Sequence, residues 1–218
     1  MKRHPQNTKL HYWDQPTYND WPINLNRGPL ITEYLDSLAD VVDTALRNYP
    51  RVFAFRVDLR FPTDFCLDCE AYTNEVLKGF VGSLTAQIRH NRMLAKRVRD
   101  TAAETVVRYV WAREQVDSEH PHWHLVILLN WDAYRCIGQY RLGNANMYNR
   151  VIKAWASALR REVGEVAGLV HFPANAAYQL QRDDDESIAE FFYRASYLCK
   201  AATKHYGDGQ HAFGASRR

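Results

Sequence analysis

Two histidines two residues apart, His122 and His124, open a run to Asn130 that is otherwise almost wholly apolar. Side chains alternate along an extended strand, so both imidazoles point to one face. Upstream, Glu114 lies near the end of a second β-like run, Tyr109–Val116, and Asp117–Pro121 supplies turn residues between the two. Antiparallel pairing brings a carboxylate beside the imidazoles. Two nitrogen donors and one carboxylate on neighbouring strands form a candidate divalent-metal site.

A second stretch bears on the same chemistry. From about Glu186 to Thr203 the spacing predicts a helix, with Asp183–Glu186 at its start, where acidic residues are favoured. Ile188, Phe191, Phe192, Ala195, Leu198, Cys199 and Ala202 fall on its apolar side. Tyr193, Tyr197 and Lys200 fall opposite, at i, i+4 and i+7. Alone, they read as a solvated face. Next to the histidine strand they suggest nucleophilic catalysis, because a tyrosine can attack a DNA phosphodiester and hold the broken end covalently. That attack needs a cation on the non-bridging phosphate oxygens. A second tyrosine one turn away would let the end be handed on, and Lys200 is placed to orient water or phosphate.

The elements that must position these residues follow from periodicity. A helix is expected from Pro29 to Asn48, then a strand from Arg51 to Arg60. In that strand Phe53, Phe55, Val57 and Leu59 share one face, and Arg56, Asp58 and Arg60 share the other. The charged row is either solvated or beside a phosphate, which makes Arg56 and Arg60 candidate DNA contacts. A long helix from about Ala71 to Arg97, the two strands described above and an Asn144-capped helix to Glu162 follow. Short strands are expected at Gly168–Phe172 and Ala177–Gln181. The order β-α-β-β-α-β plus a final helix predicts an α+β fold: a central antiparallel sheet, the histidine strand at its centre, with helices packed on one face. An N-terminal arm (1–28), one domain (29–205) and a C-terminal tail (206–218) are expected.

Composition narrows the classes. The 218 residues are 46% hydrophobic and 24% charged, as in soluble globular proteins, and the net charge is +3. Arg92, Lys96 and Arg97 belong to a basic cluster that either faces solvent or contacts DNA backbone. Cys66 and Cys69 form a lone C-x-x-C without a second pair, which argues against structural zinc. With no apolar run long enough to span a membrane and no signal-peptide pattern, a cytoplasmic protein with no membrane partner is expected.

Taken together, these residues resemble the HUH endonucleases that initiate rolling-circle replication. His122-Trp123-His124 resembles the His-hydrophobe-His motif, and Glu114 stands where that family often places a third metal ligand. Tyr193-Arg-Ala-Ser-Tyr197-Leu-Cys-Lys200 resembles the two-tyrosine motif Y-x-x-x-Y-x-x-K, and Phe53–Phe61 is similar in position to a structural motif. More narrowly, VWAREQ followed by HPHWHLVILLN resembles the replication proteins of filamentous phages (inoviruses) and their prophage relatives of the YagK/YfjJ type. The resemblance implies an HUH-type fold and site-specific nicking of single-stranded or origin DNA. It further implies a 5′-phosphotyrosine intermediate and Mg²⁺ or Mn²⁺ held by Glu114, His122 and His124. Tyr197 fits the nucleophile pattern best; Tyr193 is either a second nucleophile or a neighbour. No G-x-x-x-x-G-K-[ST] loop is present, so strand separation would fall to a host helicase.

Two rival readings stay open. His120, His122 and His124 also resemble the histidine-triad nucleotide hydrolases, although Pro121 breaks the strand between the first two. A non-catalytic DNA-binding module would keep the fold and use only its basic surface.

Overall fold

The chain before residue 32, expected as an arm (1–28) running into a helix at Pro29, forms five short strands in the computed structural model: β1 (Arg3–His4), β2 (Asn7–Trp13), β3 (Thr17–Tyr18), β4 (Trp21–Pro22) and β5 (Leu30–Ile31). Residues 2–62, 73–115, 120–204, 206–207 and 209–217 are described. Aromatic packing holds this segment: Trp13 meets Tyr18 edge-on at 5.0 Å, and Trp21 packs on Phe192 at 4.8 Å.

Helix α1 (Thr32–Asn48) and strand β6 (Arg51–Leu59) follow, then α2 (Asn74–Val98), β7 (Arg108–Glu114) and β8 (His122–Asn130). Next come α3 (Met147–Leu159), a short α4 (Val163–Val166), β9 (Val170–His171), β10 (Ala177–Gln181), α5 (Asp185–Ala195) and β11 (Phe213–Ala215). The α3 cap is Asn146 rather than Asn144; its side chain accepts from the Asn149 amide. The residues read as a tail therefore supply a strand. Cys66, Cys69, Val116 and residues 117–119 of the turn expected at Asp117–Pro121 lie outside the described residues.

The fold is α+β around one antiparallel sheet in the order β10-β6-β8-β7-β11, with β9 also on β6. The histidine strand β8 stands at its centre, as its sequence predicts. One expectation is corrected: helices cover both faces, not one. Phe53, Phe55, Trp123, Leu125 and Ile127 pack with α2 and α3. Val52, Ala54, Val126 and Leu128 pack with α1 and α5 on the other side. The cause is visible in Leu125–Leu129, a continuous apolar run of the kind that marks a strand buried on both faces. Among the described residues, no helix is long and apolar enough to cross a membrane.

Strand β11 closes the edge beside β7. Phe213 stacks on Tyr34 of α1 at 4.2 Å, and Gly214 pairs with Trp111. A Cβ on Gly214 would meet the Trp111 indole at 2.6–2.8 Å, so the tryptophan occupies the space a side chain would need. Gly214→Ala is expected to cost about 1–3 kcal/mol by overpacking. Urea unfolding checks this, and an unchanged midpoint would contradict it.

Candidate active site

Strand parity puts the chemistry on one face. In β6, Phe53 through Leu59 alternate so that Asp58 points away from the aromatic core; in β8, His122 and His124 point the same way. Register then sets the neighbours: Asp58 stands opposite His124, and Ala112 opposite His124 on the far side. Glu114 stands opposite His122. Alanine at 112 leaves His124 open to the diagonal carboxylate, and His124 Nε2 lies 3.5 Å from Glu114 Oε2. One donor atom from each of Glu114, His122 and His124 lies within 4.8 Å of the others. Octahedral coordination at about 2.1 Å puts adjacent donors about 3 Å apart, so the three donors would have to draw closer to share a divalent ion.

Each of the three side chains is held by charged neighbours. His124 Nδ1 lies 2.7 Å from Asp58 Oδ1, and Arg56 clamps Asp58 through Nε at 3.1 Å. Arg56 Nη2 also comes within 3.1 Å of the same imidazole nitrogen. The shorter carboxylate contact places a proton on Nδ1, leaving the Nε2 lone pair of neutral His124 for a metal. Burial opposes charge on Asp58, but His124 and Arg56 outweigh it and hold the carboxyl down at about 2. Burial likewise opposes charge on His124, yet the hydrogen bonds to Asp58 and Glu114 raise its pKa above the ordinary value. His122 goes the other way: burial first, then the neighbouring His124, lower it to about 4. It is neutral at pH 7.

Glu114 is only 3% exposed and is surrounded by cations. Lys204 Nζ donates to Oε1 at 3.0 Å, and Lys200 Nζ lies 2.9 Å from Oε2. Burial would raise the Glu114 carboxyl, but His124 and the two lysines hold it well below the usual range. Lys200 also stands 3.8 Å over the Tyr197 ring, with Arg56 at 5.6 Å. Lys200 therefore joins the carboxylate to the tyrosine.

The tyrosine stretch is not one continuous helix. Helix α5 stops at Ala195; a 3-10 turn carries Ser196–Cys199, and Lys200 is outside it with φ −57° and ψ 139°. Ser196 causes the change. Its buried hydroxyl donates to the Tyr193 carbonyl at 2.8 Å and accepts the Asn24 amide at 3.0 Å. The chain then pairs with β5: Lys200 bridges Leu30, and the Ala201 amide donates to the Pro29 carbonyl. The N-terminal strands thus fix where Tyr197 and Lys200 point. Tyr193 is 36% exposed on the preceding turn, and its backbone carbonyl accepts the Ser196 hydroxyl.

The YagK/YfjJ C-terminal domain family matches residues 14–216. The chain belongs to that family. It is 30% identical over 200 residues to the uncharacterized protein YfjJ of Escherichia coli (strain K12), covering 87% of this chain and 96% of YfjJ. It is 31% identical over 198 residues to the uncharacterized protein YagK of the same strain, covering 87% and 95%. No solved structure matches.

In this YagK/YfjJ-family chain the fold gathers Glu114, His122, His124, Tyr197, Lys200 and Arg56. Arg60 is exposed at the end of the same strand face, where its charge helps to lower His122. The basic cluster lies elsewhere. Lys96 pairs with Glu104 at 2.5 Å, and Arg92 stacks on Tyr134 and donates to the Ala103 carbonyl. Both abut the segment leading into β7, whose far end carries Glu114, about 20 Å away at strand rise. Asp58 and Lys204 are absent from the sequence-derived set. Asp58 had a signal, since a carboxylate two residues from Arg56 on the charged face is an available imidazole partner; Lys204 lies only four residues beyond Lys200, but nothing in that spacing points to Glu114. His120 does not join the other histidines: its ring sits edge-on to Phe61, on the aromatic-core side.

Proposed function

We propose that this chain is an HUH-type DNA nickase and strand transferase, acting through a tyrosine nucleophile with Mg²⁺ or Mn²⁺, in rolling-circle replication of phage or prophage DNA. One juxtaposition carries the proposal: a two-histidine, one-carboxylate cluster connected through Lys200 to Tyr197. A divalent ion held by Glu114, His122 and His124 would neutralise the non-bridging phosphate oxygens. The Tyr197 phenolate oxygen bonds to phosphorus and the P–O3′ bond breaks. The phenol has lost its proton to solvent, and the departing 3′ oxygen takes one up. The 5′ end stays on the tyrosine until a 3′ hydroxyl reverses the step. Lys200 holds the Tyr197 ring through its contact with the ring face and is placed to orient phosphate, and Arg60 offers a cation to the approaching strand. Single-stranded or origin DNA is the proposed substrate, and a host helicase the proposed partner for unwinding.

The position of His120 favours this reading over a histidine triad, whose mechanism needs its histidines on one face. Purified protein incubated with single-stranded DNA hairpins, with and without Mn²⁺, tests the proposal on denaturing gels. A metal-dependent covalent band that vanishes in His122→Ala is expected. Hydrolysis of nucleoside phosphoramidates without metal, and no band, would favour the histidine triad.

Asp58 has its own test. Asp58→Asn is expected to weaken Mn²⁺ binding about 10- to 100-fold, because the imidazole loses the carboxylate that fixes its tautomer. Calorimetry measures this, and unchanged affinity would refute the role given to Asp58. Mn²⁺ must also displace the proton of His124. Affinity is therefore expected to rise with pH up to the raised His124 pKa, by about tenfold per unit below it, then level off. A profile already flat above pH 5 would contradict that.

A further inference from the structure

Far from the site, α2 and the segment leading into β7 enclose a groove of about 640 Å³. Ile88 and Val107 form its buried floor, and Met93 and Val106 line it while 42% and 55% exposed. Val98, 91% exposed, stands just beyond on the same helix. Exposed apolar side chains grouped in this way mark interaction surfaces, and methionine adapts to varied partners. Arg89, Lys96 and Arg97 edge the same groove. Arg89 and Arg97 make no ion pair among the described residues, whereas Lys96 already holds the Glu104 carboxylate.

We propose that this groove binds an acidic peptide segment of a partner protein, anchored by one or two large apolar side chains. An apolar floor has nothing to offer a phosphate backbone, and a purely apolar ligand has no need of the arginines. A segment carrying both features satisfies both, as in helix-in-groove recognition. The Lys96–Glu104 pair shows how the rim receives a carboxylate. This surface does not depend on the nicking reading, because it shares no residue with Glu114, His122, His124 or Tyr197.

Selection from a random dodecapeptide display library on the full chain tests the proposal. It is run in parallel on an Arg89→Glu/Arg97→Glu/Val106→Asp variant, whose changes are on the surface and whose melting should match the parent. Enriched peptides should combine Asp or Glu with Phe, Leu or Trp, and fluorescence anisotropy should show binding weakened at least tenfold by the variant. A 16-nucleotide single strand should not compete. Absence of enrichment, equal enrichment on both proteins, or peptides without acidic residues would overturn the proposal. Loss of oligonucleotide binding in the same variant would instead make the groove a nucleic-acid surface and would also overturn it.

Discussion

Replacing Glu114 with alanine should destabilise the fold by about 3–5 kcal/mol at pH 7, the cost of stranding buried charge. One carboxylate balances Lys200, 3% exposed, and Lys204, 8% exposed. Burial lowers the pKa of Lys204 even with Glu114 present. A lysine with a depressed folded-state pKa loses stability as pH falls below its ordinary value. In the variant, the deficit should therefore shrink as pH rises from 7 towards 10. Adding Lys204→Met should restore part of the loss. Urea unfolding of the three proteins at pH 7 and 9 measures all of this. A loss that Lys204→Met does not relieve would contradict the charge balance described here. Mn²⁺ should stabilise the parent and leave Glu114→Ala unmoved.

Tyr197→Phe should reduce covalent attachment to DNA about a thousandfold or more, since no other group replaces a lost nucleophile. Phenylalanine keeps the ring beneath Lys200, so melting should stay near that of the parent. Tyr193→Phe should leave the first cleavage within a fewfold, because Tyr193 stands 36% exposed on the turn before Tyr197, while Lys200 contacts the Tyr197 ring. If Tyr193→Phe abolishes attachment and Tyr197→Phe does not, the two roles are reversed.

The site was legible where one rule of local geometry sufficed. The two-residue spacing of His122 and His124 fixed their common face, and antiparallel pairing of β7 with β8 sets Glu114 opposite His122. Arg56, Asp58 and Arg60 were readable as a charged face, but their meeting with His124 depended on the β6–β8 register, which no local signal encodes. The tyrosine stretch shows the opposite case. Its helical spacing implied that Lys200 lay on α5, but Ser196 tightens the turn and the chain leaves it to pair with β5. Tyr197 and Lys200 still meet, by a route that long-range hydrogen bonds impose. Lys204 illustrates the limit, since only the folded chain carries it to Glu114. The two-sided helix cover follows from the apolar run Leu125–Leu129, which strict alternation fits poorly.

The most direct measurement is peptide mapping by mass spectrometry after reaction with a hairpin oligonucleotide and Mn²⁺, followed by nuclease trimming. The account predicts an acid-stable nucleotide adduct on Tyr197, absent without metal. An acid-labile adduct on His120, His122 or His124, or no adduct on any hairpin tried, would contradict it.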